Sequence, residues 1–303
     1  MAIHKTTIEY FPSLNSELGM ELYFASEIHQ VTHSFKFRAA WSVVENISAP
    51  GFLAASSGNF GQALAKACQI KGRKCIIVMP MNSAKIKINA VLSHGAHVEL
   101  VDTNQKSRAE RVSEIALEYP EYYIASAYDC EHVISGNASL GIEIAELEQE
   151  FDVIVAPVGG GGLTAGIITG LESKQKNIPV WGAEPAVADD LFQSFRIGSR
   201  QFLDKEPITL ADGAKTLSEG ERNWAILSKK LQGVLRVSEA SITKAVQMLW
   251  SQGLRVEPTG ALSLGALFDK KEWSGKRILA VISGGNVDQD LFLSLIQEES
   301  KKL

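Results

Sequence analysis

Short apolar runs alternate with stretches of helical periodicity along most of the chain. The runs GFLAA (51–55), KCIIVM (74–79) and DVIVAPV (152–158) predict strands, because each is rich in apolar residues and ends at a glycine, proline or polar turn. Between the first two, FGQALAKACQI (60–70) has the apolar spacing of a helix that stops at Gly72. Strands that alternate with helices are typical of parallel sheets covered by helices. The pattern therefore predicts an α/β fold.

The predicted elements form two series. One series of βα units ends near residue 125, and a second begins with a long helix over 133–150. Because 303 residues are enough for two hydrophobic cores, we expect a small domain over 49–129 and a large domain formed by 1–48 and 130–303, each with a mostly parallel sheet flanked by helices. Further strands are predicted over 97–101, 122–125, 179–184, 234–237 and 277–283, and further helices over 83–93 (with Ser83 as N-cap), 108–117, 163–171, 223–231, 242–252, 261–268 and from 288, whereas 189–219 shows no clear pattern.

Composition and charge exclude several classes of function. A net charge of -5 and the absence of any lysine or arginine block argue against nucleic acid as a partner. The three cysteines show no CxxC spacing, which is typical of a reducing compartment and unlike a disulfide framework. No apolar run approaches the roughly 20 residues of a membrane span, and the start MAIHK lacks the apolar region of a signal peptide. We therefore expect a cytoplasmic protein without nucleic acid or membrane partners.

Three turns that follow predicted strands are rich in glycine and short polar residues. They are SSGN (56–59), GGGG (159–162) and SGGN (283–286). Ligands of open α/β sheets bind beyond the carboxyl ends of the strands, where each turn would present N–H groups at the start of a helix. In 159–162 the absence of side chains lets the backbone surround an anion, so we interpret this turn as a phosphate-binding loop.

A dinucleotide-binding loop is the alternative interpretation of the same glycines. Gly160, Gly162 and Ala165 satisfy GxGxxA between a predicted strand and a predicted helix. Glu184 ends the next predicted strand, at the position of a ribose-binding carboxylate. This interpretation leaves the other two turns and a lysine near the N-terminus unexplained, so we rank it second.

That lysine, Lys36, lies between Phe35 and Phe37. Apolar surroundings lower the pKa of an amine, and a neutral amine can attack a carbonyl group. Lys36 is therefore a candidate to bind an aldehyde cofactor as a Schiff base. The alternative is an exposed lysine on an amphipathic helix with both phenylalanines packed beneath it, which these residues alone do not exclude.

Six motifs follow one another along the chain: SFKFRAA (34–40), SSGNFGQALA (56–65), PVGGGGLTAG (157–166), ADGAK (211–215), EPTGALSLGAL (257–267) and SGGNVD (283–288). In this order, and over nearly the whole length, they resemble the fold-type II pyridoxal-phosphate enzymes, and within them the serine/threonine dehydratase and serine racemase group. Six motifs in order are far more specific than a single lysine or a single glycine-rich turn. The resemblance implies pyridoxal 5'-phosphate as the cofactor.

The resemblance also implies a role for each motif. Lys36 would hold the cofactor aldehyde and move the Cα proton of the substrate, and Ser57 would act as a second acid–base group on the opposite face in a racemase. The other implied contacts are with the cofactor ring (Phe35 and Gly213), its phenolic oxygen (Asn59), its phosphate (Gly159, Gly160, Gly161, Gly162 and Leu163), its ring nitrogen (Ser283) and the substrate carboxylate (Ser56, Ser57 and Asn59).

A divalent-cation site is implied in the same way. The segment EPAVADD (184–190) is similar to a loop of this group in which carboxylates matching Glu184 and Asp190, and the carbonyl matching Ala188, bind Mg²⁺ or Ca²⁺. Hard oxygen ligands suit these ions. The alternative is a solvated acidic turn.

The identity of Ser283 indicates the type of reaction. An aspartate would keep the pyridine nitrogen protonated, whereas a neutral hydroxyl leaves it unprotonated and favours loss of a β-group over transamination. We therefore expect β-elimination of a hydroxy amino acid, such as serine, threonine or 3-hydroxyaspartate, to a 2-oxo acid and ammonia. Amino-acid racemisation, β-replacement and a cofactor-binding protein without turnover are the alternatives. A homodimer is expected from the resemblance.

The chain departs from the pattern of this group at positions that we expect near the substrate. Phe60 stands where histidine or threonine is usual, Ala39 replaces a glycine, and SGNAS (135–139) replaces AGQGT. The substrate is therefore predicted less narrowly than the cofactor.

Overall fold

Two sheets contain the strands of this chain, and the computed structural model describes residues 2–297. Within that range the strands are Thr7–Tyr10 (β1), Glu21–Ser26 (β2), Gly51–Ala55 (β3), Lys74–Pro80 (β4), His97–Val101 (β5), Tyr123–Ile124 (β6), Val153–Pro157 (β7), Val180–Pro185 (β8), Gly233–Val237 (β9) and Arg277–Ile282 (β10). The α-helices are Pro12–Leu18 (α1), Lys36–Asn46 (α2), Asn59–Lys71 (α3), Lys85–Leu92 (α4), Arg108–Glu118 (α5), Glu131–Ala145 (α6), Gly162–Ser173 (α7), Asp190–Ile197 (α8), Glu221–Lys230 (α9), Glu239–Ser251 (α10), Leu262–Gly265 (α11) and Gln289–Gln297 (α12).

The larger sheet has the strand order β1-β2-β10-β7-β8-β9, and the smaller sheet has the order β5-β4-β3-β6. All neighbouring strands are parallel except β1 and β2. These helix-flanked parallel sheets confirm the predicted α/β class. Every strand of the smaller sheet comes from 51–124, and on this basis we propose the division into a small domain (49–129) and a large domain (1–48 plus 130–303).

Helices α6 and α7 pack very closely beside the glycine-rich turn that follows β7. A Cβ at Gly141 would lie 2.2 Å from the carbonyl oxygen of Ile167, and a Cβ at Gly170 would lie 2.2 Å from that of Ala138. Neither position therefore accepts a side chain without moving a helix. This packing fixes where α7 begins, and with it the position of the turn 159–162.

Some predicted elements differ from the structure. The segment 189–219, which shows no clear sequence pattern, contains α8, a helix of only 8 residues. Ser83 is not an N-cap, because α4 begins after Ala84, which makes no side-chain cap. The long helix predicted over 133–150 ends at Ala145. Among residues 2–297, none of the helices combines the length and the apolar character that crossing a membrane requires.

Candidate active site

A cavity lies at the carboxyl edge of the larger sheet, where the turns after β7 and β10 meet. These strands are neighbours, so their carboxyl ends lie side by side. The cavity is lined by Phe35, Lys36, Tyr128, Pro157, Gly159, Gly160, Gly161, Gly162, Leu163, Gly213, Thr259 and Ser283. The structure thus brings together all the predicted cofactor contacts except Asn59.

The amine of Lys36 lies in this cavity, away from bulk water. Its Nζ donates a hydrogen bond to the carbonyl oxygen of Ala127 at 2.8 Å and lies 4.9 Å from the centre of the Phe35 ring. Burial lowers the pKa of Lys36 to about 8, and the negative charge of Glu257 offsets this effect only in part. A larger fraction of this amine is therefore neutral at physiological pH than in an exposed lysine.

The turn 159–162 offers backbone N–H groups to an anion. Gly161 has a φ of 86°, in the left-handed region that favours glycine, and a Cβ at Gly160 would lie 2.3 Å from the ring of Tyr128. Within residues 2–297, no hydrogen-bond partner is found for the N–H groups of Gly161, Gly162 and Leu163. Since α7 begins at Gly162, its N-terminal partial charge adds to the attraction for an anion.

The hydroxyl of Ser283 is buried and has no hydrogen-bond partner within the described part of the chain. A buried hydroxyl without a partner is costly, so this group is available to a ligand atom. The last helix was predicted from residue 288, and the structure confirms it from Gln289, but the turn 283–286 does not present its N–H groups at the start of that helix. Gly284 instead forms a bridge with Ser34, and α12 begins only at Gln289.

Asn59 belongs to a chain of polar side chains beside the cavity. Its Nδ2 donates to both carboxylate oxygens of Glu257, at 2.8 and 3.0 Å, and its Oδ1 accepts from Asn286 at 2.7 Å. Burial raises the pKa of Glu257 to about 8, and the charge of Asp212 adds to this. Sequence reasoning assigned no role to Glu257, although it begins one of the six motifs, because its contact with Asn59 joins residues 198 positions apart.

Two predicted substrate residues, Ser56 and Ser57, lie in the turn before α3 and do not line the cavity. The Oγ of Ser56 accepts from the N–H of Gly61 at 3.0 Å, so it organises the turn itself. Ser57 is half-buried. Phe60, which departs from the pattern of the group, is buried in the core, and its ring centre lies 6.0 Å from Lys36 Nζ.

The predicted metal ligands lie outside the cavity: Glu184 near the end of β8, Ala188 in the turn that follows, and Asp190 at the start of α8. Burial and the charge of Asp190 raise the pKa of Glu184, and burial and the charge of Glu219 raise the pKa of Asp190 to about 7. One oxygen of Asp190 and one of Glu219 are buried without a partner among the described residues. Glu219 was not predicted, because only the fold brings it to the acidic segment. The position of Glu184 outside the cavity also disfavours the dinucleotide interpretation.

The groups around the cavity fit pyridoxal phosphate. Lys36 supplies an amine with a lowered pKa for an aldehyde, and the turn 159–162 supplies N–H groups for a phosphate. Ser283 supplies a free hydroxyl for a ring nitrogen, and Phe35 and Gly213 are available to flank a ring.

Comparison with known proteins gives the same assignment. The family model described as pyridoxal-phosphate dependent enzyme matches residues 1–284. L-threo-3-hydroxyaspartate ammonia-lyase from Saccharomyces cerevisiae is 33% identical over 97% of this chain and 91% of its own length. A serine racemase from Dictyostelium discoideum is 34% identical over 94% of this chain and 90% of its own. The crystal structure of the T.th. threonine deaminase has a TM-score of 0.89 at 34% identity, with 94% of each chain covered. The chain belongs to the pyridoxal-phosphate dependent enzymes, in the fold-type II group of serine/threonine dehydratases and serine racemases.

Proposed function

We propose that this enzyme catalyses β-elimination of a small hydroxy amino acid, giving a 2-oxo acid and ammonia. The observation that carries the proposal is the free hydroxyl of Ser283 at the cavity that contains the Lys36 amine. When bound, pyridoxal phosphate supplies an electron sink for negative charge at the substrate Cα, and a neutral partner at its ring nitrogen favours loss of a β-group over transamination. Relatives named as L-threo-3-hydroxyaspartate and L-threonine ammonia-lyases support this class of reaction.

Each group of the cavity has a separate task in this proposal. The neutral amine of Lys36 accepts the Cα proton, and the carbonyl oxygen of Ala127 keeps that amine directed into the cavity. The N–H groups of 159–162 bind the phosphate, and Phe35 and Gly213 flank the ring. Asn59, whose amide is held by Glu257, would donate to the phenolic oxygen.

Release of a 2-oxo acid tests the function directly. We would incubate the enzyme and pyridoxal phosphate with L- and D-serine, L-threonine and the isomers of 3-hydroxyaspartate, and assay 2-oxo acid and ammonia together. Equal amounts of both products from one of these amino acids are expected. If the cofactor is bound and none of these amino acids yields a 2-oxo acid and ammonia, elimination is contradicted. Chiral analysis of the same samples would then detect racemisation, and added thiols would detect β-replacement.

Capture of the cofactor should depend on pH through Lys36. Because burial lowers the pKa of Lys36 to about 8, the ammonium form, which cannot attack an aldehyde, predominates below that pH. Stopped-flow absorbance of the cofactor-free enzyme with pyridoxal phosphate should show a rate that rises roughly tenfold per pH unit up to about pH 8 and then levels off. Nα-acetyl-lysine, with a pKa of about 10.4, is the control. An enzyme rate that still rises steeply above about pH 9 would contradict the lowered pKa.

Racemisation is the second candidate function, because serine racemases are among the relatives and Ser57 matches their second acid–base group. If this chain racemises serine, Ser57→Ala is expected to lower that rate by roughly 10²-fold or more, since no group then reprotonates the other face of Cα. Elimination uses Lys36 as its base, so it should fall much less than racemisation, by no more than the loss of one contact to the substrate carboxylate. Chiral chromatography measures racemisation and a 2-oxo acid assay measures elimination, with the exposed Ser93→Ala as control. If Ser57→Ala racemised serine at the wild-type rate, Ser57 would not be the second acid–base group.

We also propose a divalent-cation site formed by Glu184, Asp190 and the carbonyl of Ala188. The unpartnered buried oxygen of Asp190 supports it. Within residues 2–297, no three acidic, histidine or cysteine side chains already surround a common point, so backbone and water oxygens would complete the ligand set. EDTA should then lower the thermal unfolding midpoint by about 5 °C, and Ca²⁺ or Mg²⁺ should restore it. Asp190→Asn should show neither effect, and an unchanged wild-type midpoint would contradict the site.

The assembly and location that we propose are a homodimer in the cytoplasm. All three cysteines are free thiols, which supports a reducing compartment. Large apolar side chains remain exposed in the single chain, including Phe202 at 64% and Ile208 at 96%, which supports association with a second copy. Sedimentation equilibrium measures the assembly state.

A further inference from the structure

Two buried asparagines hold the glycine-rich turn 159–162 from outside the cavity. Asn223, on α9, donates from Nδ2 to the carbonyl oxygen of Gly160 at 2.6 Å. Asn137, on α6, donates from Nδ2 to the carbonyl oxygen of Gly162 at 3.0 Å. Both asparagines have a relative exposure of 0%, and neither lines the cavity.

These two bonds help to orient the N–H groups of the turn. The carbonyl oxygen of Gly160 also accepts from the N–H of Gly220, at 3.0 Å, so Asn223 is one of two donors that hold it. A trans peptide unit is planar, and its C=O and the following N–H point in opposite directions. Holding the carbonyl of Gly160 outside the cavity therefore turns the N–H of Gly161 toward the opposite side. The same relation joins the carbonyl of Gly162 to the N–H of Leu163. Gly162 is the first residue of α7, so Asn137 adds a second donor to a carbonyl that the helix also holds. Gly162 and Leu163 both line the cavity.

The turn depends on such support because glycine has many accessible conformations. A side chain would restrict the backbone, but the structure leaves no room for one: a Cβ at Gly161 would lie 3.1 Å from the Cβ of Asn223. Asn223 also donates to the carbonyl oxygen of Tyr128 at 3.0 Å, which ties the turn to the residue that covers Gly160. The conformation of the turn is thus fixed by contacts from two neighbouring helices.

We propose that Asn223 and Asn137 are positioning residues that keep the turn in its phosphate-binding conformation without touching the phosphate. The proposal rests on the cofactor assignment and goes beyond it by naming the groups that make the site selective for a phosphorylated ligand. A purely structural role would weaken binding of pyridoxal and of pyridoxal phosphate alike. A positioning role weakens only the phosphorylated ligand.

The test compares dissociation constants of pyridoxal phosphate and pyridoxal for cofactor-free wild type, Asn223→Leu and Asn137→Leu, measured by absorbance titration. For each variant we expect the preference for pyridoxal phosphate to fall at least about tenfold, with binding of pyridoxal unchanged within about twofold. Asn223→Asp keeps the side-chain size and replaces the donor by an oxygen, so its preference should fall as in Asn223→Leu. It provides the test if Asn223→Leu does not fold.

The matched control is Thr164→Val. Thr164 is equally buried and donates from Oγ1 to the carbonyl oxygen of Pro157 at 3.2 Å, but the N–H of the next residue, Val158, is already bonded to Ala183 in the sheet. The control should therefore keep the wild-type preference. A preference that is retained in the asparagine variants, or an equal loss for both ligands, would overturn this inference alone. Equal binding of both ligands by wild type would overturn the phosphate role of the turn itself.

Discussion

Replacing Lys36 by alanine is expected to lower 2-oxo acid release by at least about 10³-fold, because the variant loses the amine that we propose both holds the cofactor aldehyde and accepts the Cα proton. The buried surroundings of Lys36 offer no replacement: within residues 2–297 its Nζ contacts a backbone carbonyl and aromatic rings rather than a second amine. The visible absorbance of the lysine-bound cofactor should disappear as well. Product assays and absorbance spectra measure the two effects separately.

A surface lysine provides the control for this variant. Lys71, at the end of α3, is paired with Glu45 and stacked over Trp41, far along the helix from the cavity. Lys71→Ala should keep full activity and the full spectrum. Turnover by Lys36→Ala within tenfold of wild type would show that another base takes the proton and would contradict the assignment.

The variant Arg38→Met is expected to lower the free energy of unfolding by about 3–5 kcal/mol. The Arg38 side chain is fully buried and donates to Glu27 at 2.7 and 2.9 Å and to Glu143 at 2.8 and 2.9 Å. Its removal leaves the fully buried carboxylate of Glu27 without its cation. Because Arg38 joins α2, which carries Lys36, to α6, cofactor affinity should fall too. Thermal unfolding of the cofactor-free protein separates stability from binding.

An exposed arginine provides the comparison. Arg277 pairs with Glu21 at 3.0 Å, but the two side chains are 40% and 36% exposed. Arg277→Met should therefore change stability by less than about 1 kcal/mol. A second comparison is the double variant Arg38→Met/Glu27→Leu, which should regain part of the loss because no carboxylate remains unpaired at Glu27. If Arg38→Met and Arg277→Met lowered the free energy of unfolding by equal amounts, burial of the Arg38 ion pair would not be the cause of the effect.

The strands at the centre of the larger sheet could be predicted because burial on both faces requires an uninterrupted apolar run. β7 and β10 lie within the predicted runs 152–158 and 277–283. β1 and β2 were not predicted. β1 is an edge strand without a fully buried residue, so its sequence shows no apolar run. The short helix α8 was not predicted either, although α4 has the same length and was.

The candidate site could be predicted where its chemistry is local. The glycine-rich turn and Lys36 are recognisable because a few adjacent residues supply the backbone freedom or the amine. Glu257 and Asn223 were not recognised, because their roles arise from hydrogen bonds to Asn59 and Gly160, which are 198 and 63 positions away. Only the fold brings these partners together. Asn137 was expected near the substrate, and the structure places it behind the turn instead.

The position of β10 in the larger sheet also determines when the site can form during synthesis. β10 lies between β2 and β7, so the sheet remains in two parts until residues 277–282 have emerged from the ribosome. The smaller sheet needs only 51–124. At roughly 5–20 residues per second, the interval between these two points is on the order of ten seconds. Ser283 joins Lys36 only after this interval, so a nascent chain can acquire the ability to retain its cofactor only once residues 277–283 have emerged.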